Sequence, residues 1–569
     1  DKLGGIKINK GRIFNDAAET AGCFIEWLLL AAVLAVCVVV PLYARDGYHQ
    51  IGNAKFEAYR RIMTGSFSIL LLLAVVYDIC RIIVCRKSAA QEEDLLAGSH
   101  LMHGSAQISL TDKFVLAYLI LTGISVISGG FYEDALWGAA GWNMGFLTQV
   151  SFVLLYLFLS RFGRYYRAVL ITLCSVAAVV FAIGILHRLM IDPIGFYDGL
   201  NYEQKAQFLS TLGQATWYAS FMAVTLPVGI GVFLYAEGAK RRVVSGIYIM
   251  LGFCSLVTQN SDSAYFALAG AMFVFFMISC ERKAALCRFM AVLSMLFAAG
   301  KIMYLLTRMR PNPELEPDFV TELMWTSGLT WILLAACLLL TLAAALRKPK
   351  KLYTNVPNTG SAADGGMPGQ KKGEELPAPA VRRIRRGAAG VVVGLIMLTI
   401  LVICLHSLEV LPADISNKIS GVSYLNWNDD WGNGRGRIWS FSCRMISEES
   451  LGRRIFGVGP DCFNSYAKAY HGDEVKLLWG EKLLTNAHNE WLTMLINGGI
   501  LGAAAYVGIY VTEVRRCLRG WRQNELLSGV AASCVSYMCY NFFCYQQVLC
   551  TPFIFILMGI GEYTLRQQE

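Results

Sequence analysis

Apolar residues fall in long runs along almost the whole chain, from "LLLAAVLAVCVVVPLY" (Leu28–Tyr43) to "VVVGLIMLTILVICL" (Val391–Leu405). A bilayer-crossing helix needs roughly 20 mainly apolar residues, and run after run approaches that length. The alternating pattern of a membrane β-barrel is missing. The spacing predicts an all-α polytopic membrane protein of about 14 transmembrane helices. They are expected near 23–43, 66–85, 113–129, 145–162, 168–187, 216–235, 243–259, 263–280, 286–306, 324–346, 387–409, 490–511, 526–545 and 547–563. Cys23–Tyr43 follows a basic amphipathic lead and is long enough to stay in the bilayer, so it is expected to be a span and not a cleaved leader.

The polar interruptions predict orientation. "KINKGR", "CRK", "SRFGRYYR", "KRR", "CERK", "RRIRR" and "RRCLRGWR" all fall on one side if the amino terminus is cytoplasmic. Basic loops favour the cytoplasm, so both termini are expected there. Lys350–Arg386 has turn formers and charges without apolar periodicity. This divides the chain into a ten-helix region at 1–346, a disordered basic cytoplasmic linker at 347–386, and a C-terminal membrane region at 387–569. The last of these contains a large extracytoplasmic loop of short helices, 410–489.

Composition agrees with a membrane protein. Hydrophobic residues make up 55% of the 569 and charged residues 16%, against about 25% charged in soluble domains. The net charge of +9 sits at helix ends, which marks topology and not a nucleic-acid groove. Most of the 17 cysteines lie inside apolar runs and act there as small hydrophobes. No CxxC pair occurs and no metal site is expected. Cys443 and Cys462 share the outward loop and are the one candidate disulfide.

Candidate chemistry concentrates in that loop, where arginine is dense against the positive-inside tendency. Arg435 and Arg437 lie in "GNGRGRIW", a Gly-rich turn before a predicted amphipathic helix, Ile438–Ile446. Planar guanidinium groups suit phosphate oxygens; the alternative is pairing with Asp429 and Asp430. His488 stands in "LLTNAHNEWL" at the lip of a predicted span, with Thr485 or Asn486 as a helix cap. An imidazole there can take a proton near neutral pH or merely bond a loop. Gly498, Gly499 and Gly502 are expected on the following helix for close packing, and "FGVGP" (Phe456–Pro460) as a turn. Trp427, Trp431, Trp439, Trp479 and Trp491 can line a glycan groove or form an interfacial belt.

The order of these pieces carries more than any one of them. Arg435-x-x-x-Trp439, then Gly457-x-Gly-Pro460, then His488-Asn489-x-x-Leu492 ahead of Gly499-x-x-Gly502 resembles the O-antigen ligase and polymerase superfamily of bacterial envelope glycosyltransferases. Weaker echoes are Leu212–Val228 and Thr258–Ala271. Members often carry Ser-Arg in the second, and this chain has Ser261-Asp262. The resemblance implies a class C glycosyltransferase architecture in the bacterial cytoplasmic (inner) membrane with an extracytoplasmic site. It implies a polyprenyl-diphosphate-linked glycan donor, a hydroxyl acceptor on a glycan or glycolipid, and a metal-independent inverting transfer without a cofactor. His488 would be the catalytic base, and Arg435 and Arg437 would hold the diphosphate. Asn489, Trp439 and Asp262 are further substrate-binding candidates, and Arg308 or Arg310 are candidates for the role of the missing arginine. A transporter or flippase of lipid-linked glycans is the rival reading, and ligase against polymerase stays open.

Overall fold

A computed structural model describes all residues except 1–9, 91–107, 260, 347–375, 413, 415, 417–422 and 481. The helices are α1 (Lys10–Leu42), α2 (Ile51–Ala90), α3 (Leu110–Gly129), α4 (Tyr132–Trp137), α5 (Phe146–Phe162), α6 (Tyr166–Arg188), α7 (Tyr202–Gln207), α8 (Ala215–Tyr235), α9 (Ala239–Thr258), α10 (Asp262–Ser279) and α11 (Lys283–Met309). After them come α12 (Phe319–Thr326), α13 (Gly328–Leu346), α14 (Ala378–Ser407), α15 (Trp431–Glu448), α16 (Leu451–Phe456), α17 (Phe463–Trp479), α18 (Glu490–Asn497), α19 (Gly499–Gly520), α20 (Leu526–Tyr540) and α21 (Thr551–Arg566). Among the described residues the one sheet is a two-stranded antiparallel ribbon, β1 (Phe208–Leu209) with β2 (Gly213–Gln214).

The chain is an all-α, multi-pass membrane protein. Every predicted span falls mainly on helix, though the last two run into a non-helical connector at 541–550, and fewer helices can cross a bilayer unaided. Among the described residues nine are long and apolar enough, or ten if α12 and α13, bent by 72°, form one span. The shortfall from about 14 has physical causes. α5 and α20 are short apolar helices. The 490–511 stretch is broken between α18 and α19, where Gly499 takes φ 66°. α21 carries Glu562 and Arg566 and lies almost wholly inside the bundle, where protein and not lipid meets its polar groups.

α8 is the most buried span and packs against α20, α9 and α10. A Cβ on Gly231 of α8 would lie 3.0 Å from Gly529 N of α20, so two glycines let the backbones touch. α3 packs on α19, and α5 on α21. Several of the predicted basic clusters share acidic partners. Glu281 bonds both Arg385 and Arg522 at 2.7 Å, Arg241 approaches Glu525 at 3.5 Å, and buried Asp112 pairs with Arg566 and, at 3.7 Å, Arg161.

α14 packs its start there, with Arg385 Nη2 on Glu281, and leaves its apolar length exposed. It begins at Ala378, so residues 378–386, expected in the linker, are helical. The remainder of that stretch, 347–375, lies outside the described residues.

Candidate active site

The 410–489 loop folds on a small core of its own. Phe441, Val458, Cys462, Phe463, Ala467 and Ala487 are fully buried together with Ile496 of α18. α15 contains the predicted amphipathic helix. Its first turn is reversed: Gly432, Asn433 and Gly434 all take left-handed backbone angles. "FGVGP" is the predicted turn, and it docks on the α18–α19 break. Val458 N and Gly459 N donate to Ile496 O and Asn497 O at 3.0 and 2.9 Å. A Cβ on Gly457 would stand 2.2 Å from Asn497 O, and one on Gly499 2.4 Å from Ile455 O. Gly499 therefore sits at a break, not in a helix interior. Cys443 and Cys462 are free thiols, one exposed and one buried.

Arg435 and His488 are joined by a segment that sequence reasoning passed over: the mostly buried, non-helical connector 541–550 between α20 and α21. Arg435 Nε donates to Phe543 O at 3.0 Å and Nη1 to Gly432 O at 2.5 Å. Among the described residues no acid forms an ion pair with it, and the Cys544 thiol lies within its reach. Two residues along, Tyr545 meets the His488 ring edge-on, with centroids 5.2 Å apart. Glu490, beside His488, locks the connector: its N donates to Asn541 O and its Oε2 accepts from Gln546 N, both at 2.8 Å.

His488 has φ 48°, a strained conformation for a side-chain-bearing residue. Its N donates to Asn486 Oδ1 at 2.8 Å. Its ring nitrogens make no hydrogen bond among the described residues. The side chain reaches the surface, yet protein crowds it from the other directions. That loss of water, and then the Arg435 charge, pull its pKa down to about 4. The imidazole is neutral at physiological pH.

Beside Arg435 opens a recess of about 1000 Å³, lined also by Thr216, Asp262, Asp318, Tyr424 and Phe543. Asp262 accepts a short bond from Tyr424 OH and, through Oδ1, one from Val320 N at 3.2 Å. Asp318 caps α12 through Thr321 N at 2.8 Å. Burial and then the neighbouring Asp262 raise its pKa. Glu203, Glu314 and Glu316 complete an acidic wall facing one guanidinium. A second, apolar groove of about 760 Å³ runs between α10, α19 and α20. Phe266 lines both spaces.

The other predicted residues separate. Arg437 is held by Asp429 at 3.3 Å and Asp430 at 3.7 Å. Asn489 caps α18, accepting from Trp491 N and Leu492 N at 3.0 and 3.1 Å. Trp427, Trp431 and Trp439 join Phe542 and Phe543 in one aromatic cluster, with Trp439 stacked on Phe543 at 6.1 Å. Trp479 packs on Phe441, and Trp491 lines the apolar groove. Arg308 folds back over Tyr304, and neither it nor Arg310 lines the recess. Tyr424, Asp318 and Tyr545 were missed. The signal for the last was "YNFFCYQQ" (Tyr540–Gln547), a polar and aromatic interruption in an apolar tail.

Fold and site together define a multi-pass membrane protein with a polar recess and an apolar groove that share Phe266 as a lining residue. A family model described as O-antigen ligase matches residues 320–507, from α12 through the loop to α19. The match supports the O-antigen ligase and polymerase superfamily for this chain. It includes His488 and Arg435 and stops short of the connector that holds them. No curated protein matches the chain.

Proposed function

We propose that the protein transfers a glycan from a polyprenyl-diphosphate donor to a hydroxyl of a surface polysaccharide or glycoconjugate, on the extracytoplasmic side of the bacterial inner membrane. The observation that carries the reading is the placement, across one connector, of a guanidinium at the recess without an ion pair among the described residues and an imidazole whose ring makes no hydrogen bond among them. The donor's lipid tail lies along the apolar groove, and its diphosphate meets Arg435 Nη2. His488 takes the proton of the acceptor hydroxyl as that oxygen attacks the anomeric carbon. The anomeric carbon–oxygen bond to the diphosphate breaks with inversion, and polyprenyl diphosphate leaves with the added negative charge that Arg435 stabilises. Arg437, already paired, orients the turn that carries Arg435.

The low pKa of free His488 fits this order of events. A diphosphate arriving at Arg435 cancels the repulsion that disfavours imidazolium, so the donor itself raises the basicity of the base. In this reading no metal takes part. Turnover unchanged by chelator is expected; loss of turnover would point instead to a divalent ion carried by the diphosphate against Asp262 and Asp318.

The test is transfer by the purified protein in detergent, given donor and acceptor. Product needs no second compartment, whereas a flippase would form none. Mass analysis of lipid-linked glycans in a deletion strain then separates the subtypes: single repeat units accumulate without a polymerase, full-length lipid-linked polymer without a ligase.

A further inference from the structure

Behind His488 runs a column of contacts that ends on a buried carboxylate. The His488 ring meets Tyr545 at 5.2 Å and 79°. Tyr545 meets Trp142 at 4.8 Å and 82°. Trp142 sits in the tight loop between α4 and α5, and one oxygen of Asp461 ties both ends of that loop: Oδ2 accepts from Ala139 N at 2.7 Å and Met144 N at 2.8 Å. Asp461 is 7% exposed and holds a left-handed backbone, φ 59°, immediately after the turn docked on the α18–α19 break. Non-glycine residues keep such angles only where their surroundings over-determine them.

We propose that Asp461 is a positioning residue for His488, acting through the 139–144 loop, Trp142 and Tyr545. The inference rests on the reading of His488 as general base. A base works only within hydrogen-bond reach of its proton, and a misplacement of 1 Å can cost on the order of 100-fold. His488 has no hydrogen bond at its ring among the described residues, so packing alone aims it. The packing partner, Tyr545, stands on a non-helical connector and takes its support from Trp142. The Trp142 loop is held closed by two backbone N–H bonds to one oxygen of Asp461. Burial pushes the Asp461 pKa up to about 7, the mark of a carboxyl placed where water cannot relieve it and the two amides must. No other part of the proposed chemistry uses this residue.

The experiment uses the full chain in detergent with the same donor and acceptor, comparing wild type, Asp461→Ala, Asp461→Asn and Trp142→Leu. Thermal unfolding midpoints establish which variants are folded. Asp461→Ala is expected to lower kcat roughly 10- to 100-fold with donor KM within about threefold. It should also move the acid limb of the kcat/KM profile upward from about 4, because a loosened ring regains water. Asp461→Asn, whose carboxamide oxygen can still accept from both amides, recovers most of the rate. Trp142→Leu reproduces the Asp461→Ala profile and carries the test if Asp461→Ala fails to fold. A folded Asp461→Ala or Trp142→Leu with wild-type kcat, or with reduced kcat and an unmoved acid limb, overturns the inference. So does Asp461→Asn as impaired as the alanine variant. If His488→Ala transfers at the wild-type rate, the general-base reading has failed; if it is inactive while the column variants behave as wild type, only this inference has failed.

Discussion

His488 is held by its backbone and left open at its ring, which suits a group that must receive a proton from something absent at rest. Its lowered pKa means that the base form persists until the pH falls through about 4. The kcat/KM profile, which reports the free enzyme, should therefore stay flat through neutrality and fall only in that region. The kcat profile reports the donor complex, where in the proposed reading the diphosphate offsets Arg435, and its acid limb should lie at higher pH. Coincident limbs in the two profiles would remove Arg435 from the electrostatics of the base. The two arginines separate in the same way. Arg435→Ala should cost on the order of 100- to 1000-fold in turnover and weaken donor binding. Arg437→Ala, which breaks partly exposed pairs with Asp429 and Asp430, should change turnover less than about fivefold. Steady-state kinetics on both variants decides this. The sequence offers Thr485 or Asn486 as the helix cap, whereas Asn489 caps the helix; that the histidine just before it adopts a left-handed angle is not legible either, because the angle follows from long-range docking.

At the scale of elements, two features place the site: the docked turn at Gly457 and the connector at 541–550. Gly457→Ala would set a methyl group 2.2 Å from Asn497 O, and Gly499→Ala 2.4 Å from Ile455 O, both at left-handed positions. Each should destabilise the protein by roughly 1–3 kcal/mol or more, with a lower unfolding midpoint in detergent and transfer reduced with it. An unchanged midpoint would mean that the turn is not clamped. The turn residues, the Gly-rich start of α15 and its amphipathic stretch were readable, since local chemistry sets them. The connector was not: "YNFFCYQQ" lies between two apolar runs, and single-sequence periodicity gives no sign that its carbonyl and its tyrosine reach 108 residues back to Arg435 and across to His488. The break at Gly499 was hidden for a related reason. A glycine in an apolar run reads as a packing contact unless its docked partner is known.

At the scale of the molecule, the proposed topology gathers basic residues at one face and opens the recess at the other. In that topology the positive-inside tendency places the basic face in the cytoplasm. A single cysteine introduced at exposed Asn433, beside the recess, in a chain whose other reactive thiols are replaced, should be labelled by a membrane-impermeant reagent in intact cells with the outer membrane permeabilised. One at exposed Arg241 should be protected. Reversed labelling would invert the proposed topology. Membrane class and span positions were readable because apolar runs are additive along the chain. Which runs cross the bilayer unaided was not, because α5, α20 and α21 take their surroundings from neighbouring helices. The acidic wall of the recess was equally out of reach: Glu203, Asp262 and Asp318 come from separate stretches, and only Asp262 drew notice.

The most direct test of the account compares donor binding with glycan transfer in purified His488→Ala protein. If His488 is the base, the variant binds the polyprenyl-diphosphate glycan with wild-type affinity and transfers it about 10²- to 10⁴-fold more slowly. Transfer at the wild-type rate, or lost only in proportion to lost donor binding, would contradict it.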